Sequence, residues 1–245
     1  MESLNLKARI YLTLIVLCGC GMIIYAFVFH RFSMNMQIFA FSVMAALIGP
    51  ASVRIGTKVE MSPVFPFSFS ALLLYGISGA IFVGIVNMLA SCLLRKKTLS
   101  MPKILFNLFS VSIALFVAGM TFTLICSSDY SLSNQTFLSA VLMATLVFYL
   151  VNTFLVTGIV AVTETRTFFL LWREKFIWTA PSYYAGSSFA VAFAFLVDRF
   201  GVWVIVLALP PCALIYYFYR FYVNSSEEKQ KLLLTIKQLE ESGKR

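Results

Sequence analysis

Apolar runs of about 18–25 residues recur along nearly the whole chain, and this one pattern decides most of what it can fold into. A helix of about 20 residues is ~30 Å long, enough to cross the hydrocarbon core of a bilayer. Inside that core each backbone N–H and C=O must find its partner within the protein, which helices and closed barrels achieve. The period-2 alternation of an outer-membrane barrel is absent. The expected fold class is all-α: a polytopic membrane helix bundle of about seven to eight segments, one of them short or re-entrant, followed by a cytoplasmic C-terminal helix. Residues 1–222 make the membrane domain and 223–245 a linker or coiled-coil-like helix.

Hydrophobic residues are 60% of the 245 and charged ones only 12%, which is not a soluble globular balance. A net charge of +9 would suggest nucleic acid as partner of a soluble chain. Here the Lys and Arg stand in loops between apolar runs, where they set topology and face anionic lipid. With no basic, aromatic-studded stripe in an aqueous segment, nucleic acid is not expected as a partner and the lipid bilayer is. Cys18, Cys20, Cys92, Cys126 and Cys212 all fall in or beside apolar runs and read as packing residues. Leu17-Cys18-Gly19-Cys20 has the outline of a lipoprotein cleavage box, but the apolar run continues through Phe27, favouring an uncleaved first span.

The spans expected are 10–29, 36–51, 104–126, 137–162, 182–197 and 202–219, with the stretch 65–94 apart from them. As one helix 65–94 would be ~45 Å long and overshoot the core. Its centre, Tyr75-Gly76-Ile77-Ser78-Gly79, reads as a break between a short helix (65–75) and a full one (78–94). Before it, Gly56 and Pro63 argue against helix over 53–63, and the brief alternation there suggests a short extended segment. Glu60 in that stretch is either an exposed carboxylate near Lys58 or a ligand contact at the membrane boundary. Residues 163–178 mix charges with Phe168, Phe169, Trp172, Phe176 and Trp178, as an amphipathic segment lying on the inner surface does.

Charge placement tests the hairpin. Folding 65–94 back on itself puts Lys7, Arg9, Arg54, Lys58, Arg95, Lys96, Lys97, Lys103, Arg166, Arg173, Lys175 and Arg220 on one side of the membrane. Only Arg31 and Arg199 are left on the other. A single crossing makes the split much less uneven, and cytoplasmic loops are the basic ones. Both termini are therefore expected in the cytoplasm of a bacterial inner-membrane protein.

No metalloprotease His pair, nucleophile elbow, phosphate loop or zinc-spaced cysteine pair is present. Of the ten acidic residues, Glu227, Glu228, Glu240 and Glu241 belong to the tail, which starves acid–base and metal chemistry. No enzyme activity, cofactor or metal is expected. The spans do contain Asn87, Asn107 and Asn152, each an amide that needs partners in hydrocarbon. They read as interhelical glue or as contacts to an unknown small polar ligand. Pro210-Pro211 removes two backbone donors from the last span, giving a kink and a candidate hinge. Beyond it, Leu232, Ile236 and Leu239 keep the spacing of a coiled-coil seam, a candidate signal-output helix and a possible homodimer contact.

Two stretches carry resemblances. Ile104-Leu105-Phe106-Asn107, Tyr149-Leu150-Val151-Asn152 and the ending Leu209-Pro210-Pro211 through Tyr219-Arg220-Phe221-Tyr222 to Glu227-Glu228 resemble the multi-pass N-terminal sensor regions of bacterial HD-GYP phosphodiesterases and related diguanylate-cyclase or kinase signalling proteins. The resemblance implies a last helix leading into a cytoplasmic effector; these 245 residues hold no catalytic module of that kind, so no catalytic residue carries over. Val53-Arg54-Ile55, Phe67-Ser68-Phe69 and Leu72-Leu73-Leu74-Tyr75-Gly76 are similar to the membrane hairpin of vitamin-binding S-components of energy-coupling-factor transporters. The expected function is thus a non-enzymatic sensor or signal-input domain, the alternative a substrate-binding subunit of a small-molecule transporter.

Overall fold

The computed structural model describes residues 5–30, 32–48, 53–55, 59–61, 65–94, 100–126, 135–201 and 203–207, with 210, 217 and 225. Helix α1 (Leu6–Phe29) opens at Asn5, whose side chain accepts the Ala8 N–H at 2.8 Å, satisfying one of the donors a helix start leaves open. The Asn35 side chain does the same for Ile38 (2.8 Å) near the start of α2 (Met36–Ile48). Over its 13 described residues α2 is ~20 Å long; residues 49–51 of the expected 36–51 span lie outside the described residues. The extended segment expected before α3 is an antiparallel pair, β1 (Val53–Ile55) and β2 (Val59–Met61), with Arg54 opposite Glu60.

Helix α3 (Phe65–Leu94) breaks where the sequence places the break, at Gly76, with φ 72° and ψ −165°. The chain reverses there. A β-carbon on Gly79 would stand 3.6 Å from the Ala71 carbonyl oxygen, and one on Gly84 3.9 Å from Ser68 Oγ. In a straight helix these pairs would be ~12 and ~24 Å apart. So a stretch that by length and composition could cross as one span (Phe65–Leu93) is two antiparallel arms, 65–75 and 77–94, ~16 and ~27 Å long.

That reversal fixes the direction of everything after it. Helix α4 (Met101–Ile125) runs parallel to α1: Ile15 clusters with Phe106, Gly19 faces Phe109, and the Tyr25 ring meets Phe116 at 5.8 Å. A single crossing by α3 would have made the two antiparallel. Helix α5 (Gln135–Glu164) returns beside α4, Phe122 against Phe137 (5.9 Å). Its far part meets the start of α1, with Tyr11 Oη donating to the Leu155 carbonyl and Asn5 Nδ2 to that of Val162. Helix α6 (Phe168–Lys175) and a 3-10 turn (Ile177–Thr179) lead into α7 (Ala180–Phe200), whose first turn takes Pro181. The first arm of α3 lies parallel to α7: Phe65 meets Tyr183 (5.3 Å), Ser70 Oγ donates to the Ala190 carbonyl (3.2 Å), and Phe67 meets Phe193 (5.7 Å). Gly201, at φ 73°, ends α7 before α8 (Trp203–Leu207).

The α3 hairpin is the centre of the packing, with 67% of its best apolar window buried against 17% for α1. Phe69, Leu72, Ile77 and Ile81 join Leu115, Ala118, Phe122, Ala140, Ala144, Phe148, Ala190 and Ala194 in one cluster. Helices in lipid gain little from the hydrophobic effect and associate by close packing and hydrogen bonds, which is why small residues line these contacts. With five helices among the described residues long and apolar enough to cross a bilayer, the chain is a multi-pass α-helical membrane protein.

Two ends of the bundle differ in charge. Lys7, Arg9, Lys103, Arg166, Arg173 and Lys175, with Glu164 and Glu174, stand at the starts of α1 and α4, the end of α5 and on α6. His30, Asp198 and Arg199 stand at the ends of α1 and α7. Residues Val206–Arg245 form a compact unit of their own. Pro210 is helical and exposed there, whereas Pro211, Leu232, Ile236 and Leu239 lie outside the described residues.

Candidate functional site

The most elaborate polar arrangement among the described residues is built on the middle of α5. Thr145, Tyr149, Thr153 and Thr157 recur every fourth residue and so share one face. A hydroxyl buried in an apolar surround is costly unless bonded. Each threonine meets this locally, donating to the carbonyl four residues back at 2.7 Å (Val141, Tyr149 and Thr153 in turn). That leaves the Thr153 oxygen able to accept, and the indole Nε1 of Trp172 on α6 donates to it at 3.0 Å. Tyr149 Oη donates to the Phe176 carbonyl at the exit of α6 (3.1 Å), and Asn152 Nδ2 donates to Tyr183 Oη on α7 (3.0 Å).

Three hydrogen bonds thus tie α6, the turn after it and the first turn of α7 to one helix. Aromatic rings close the arrangement: Tyr149 on Tyr183 (5.3 Å), Tyr149 on Trp172 (6.3 Å) and Phe154 edge-on to Trp172 (5.3 Å). Phe65, the first residue of the α3 hairpin, packs on Phe148 at 4.7 Å and on Tyr183. Helix α6, the first arm of α3 and two long helices therefore meet at one place. Its donors and acceptors are uncharged, suited to positioning and switching rather than to proton transfer or metal binding. Among the described residues no three His, Cys, Asp or Glu side chains come together as a metal site would need.

Of the candidate ligand or polar-network residues Asn87, Asn107, Asn152 and Glu60, Asn152 is the one that bonds within this junction. Phe122 opposite Phe137 sets the α4–α5 register, and Asn107 and Asn152 lie equally far from that pair, hence at one level of the bundle. No hydrogen bond joins them. The Asn107 side chain bonds no other described residue, while its carbonyl accepts from Ser110 Oγ at 3.3 Å. Asn87 lies on the return arm of the α3 hairpin, where Ser91 Oγ, one turn on, approaches its Oδ1 at 3.5 Å. No hydrogen bond joins Asn87 to either of the other two asparagines. Glu60 sits in β2 opposite Arg54 in the strand register.

Sequence reading missed Tyr183 and Thr153 altogether and took Trp172 for a lipid anchor. In a chain this uniformly apolar, a core aromatic and a lipid-facing one carry the same signal. Comparison with family models, curated proteins and solved structures finds no match.

Proposed function

We propose that the chain is a non-enzymatic signal-input domain of a bacterial inner membrane, relaying a ligand or a membrane state through its last helices to a cytoplasmic effector. The observation that supports this reading most is the junction on α5, where α6 is keyed through Trp172, Tyr149 and Tyr183 to α7, the helix that leads towards the C-terminal segment. Interhelical hydrogen bonds in membranes average ~0.6 kcal/mol, so three amount to about 2 kcal/mol. That is enough to favour one arrangement roughly 20-fold and little enough for a modest differential affinity to reverse it. A proline at Lys229 should silence the output of an effector fused after Arg245 while leaving insertion intact. Unchanged output would refute the relay.

Orientation follows from charge. The end holding Lys7, Arg9, Lys103, Arg166, Arg173 and Lys175 is assigned to the cytoplasm by the positive-inside rule, with both termini there and the short α2 and α3 arms completing a seven- to eight-segment count. In intact cells Arg199→Cys should react with a membrane-impermeant thiol reagent above the parent background, and Lys103→Cys only after permeabilisation. The reverse pattern would overturn the assignment.

The second reading is a substrate-binding transporter subunit. What favours it is the broken α3 beside the short α2, since interrupted helices at membrane depth are tolerated where protein buries them or a cavity lies beside them. Truncation after Tyr222 separates the two, because uptake should survive it and signalling should not.

A further inference from the structure

We propose that the input is the bilayer surface itself: α6, with the cations at the same end of the bundle, forms a docking surface for anionic phospholipid headgroups. The inference rests on the signal-input reading and names its ligand. Helix α6 and the turn after it present Phe169 (72% exposed), Leu170, Ile177 and Trp178 (83% exposed) on the outside of the protein. Exposed Arg173 and Glu174 sit among them. Water would not favour the first group and hydrocarbon would not favour the second; only the headgroup region accommodates both. At the same end of the bundle stand Lys7, Arg9, Lys103, Arg166 and Lys175 with Glu164, whereas the far end holds, among the described residues, His30, Asp198 and Arg199. A basic surface interleaved with aromatics fits an anionic leaflet, not a neutral one.

The inner face of α6 makes this more than an anchor. Leu171 is buried, and Trp172 Nε1 reaches past it to Thr153. Four residues on, the Phe176 carbonyl is taken by Tyr149, and four residues after that α7 begins at Ala180. The chain between surface and core is thus too short to absorb a displacement of α6. A change in headgroup charge that shifts the depth of α6 must strain or release the Trp172, Tyr149 and Asn152 bonds together.

The test uses the full chain reconstituted into vesicles of phosphatidylcholine alone or with about 30% phosphatidylglycerol. Backbone hydrogen exchange over 165–179 is read in each. Exchange there should slow roughly threefold or more in the anionic vesicles, and inorganic phosphate added to neutral vesicles should not reproduce the effect. The triple variant Arg166→Gln, Arg173→Gln, Lys175→Gln should lose the response, and Arg199→Gln at the far end should keep it. Equal exchange in both lipids, a response to phosphate alone, or a triple variant that responds fully would each overturn the proposal. Lipid-dependent protection with a silent fused effector would refute the signalling role and leave the lipid surface standing. An effector that responds without lipid-dependent protection would do the opposite.

Discussion

Replacing Gly76 by alanine is expected to destabilise the protein by about 1–3 kcal/mol, although nothing lies within 4 Å of where the new β-carbon would sit. The cost is in the backbone. At φ 72° and ψ −165° the residue occupies a region open essentially to glycine alone, and any side chain, however small, opposes the reversal of α3. Gly21 in α1 is the matched control: its β-carbon would also meet nothing within 4 Å, but it lies inside a regular helix. Gly21→Ala should be neutral or gain up to ~1 kcal/mol. Unfolding of the two variants in the same detergent measures the difference, and equal midpoints would contradict the hairpin.

Gly119→Leu should cost about 3 kcal/mol by overpacking. Its β-carbon would stand 2.6 Å from Ile77 Cγ1 and 2.8 Å from Leu72 Cδ1, so both arms of the hairpin block it just beside the reversal. Adding Ile77→Ala opens room. Alone, that truncation leaves a cavity and costs about 2–5 kcal/mol; combined with Gly119→Leu, the total should fall short of the sum by about 1–3 kcal/mol. A double-mutant cycle on the unfolding free energies reads this coupling, and strict additivity would refute the contact.

The two glycines also show what the sequence could reveal. The reversal at Gly76 was legible because length alone made one 30-residue helix awkward, and Tyr-Gly-Ile-Ser-Gly offered a place to turn. The parallel run of α1 and α4 followed from counting cations, since only a fold-back leaves the charge so unequally divided. Azimuth was invisible. Nothing in the composition of α5 distinguishes the face of Thr145, Thr153 and Thr157 from the face towards lipid, because threonine satisfies its hydroxyl within its own helix wherever it points. Asn152 drew attention as an amide in hydrocarbon, but its partner Tyr183 looked like any aromatic near a helix start. Trp172 was read by its neighbours in sequence, the charges of 173–175, when its neighbour in space is a buried threonine.

The parallel pairing of α1 with α4 has a consequence for biogenesis. About seventy residues separate the end of the first span from the start of the helix it packs on, so at ~5–20 residues per second the first span waits roughly 4–14 s for its main partner. Through that interval it must be an adequate membrane segment alone. Its low burial and uninterrupted apolar surface suit a helix that enters the bilayer ahead of α4 and joins the bundle late, after the α3 hairpin has been made.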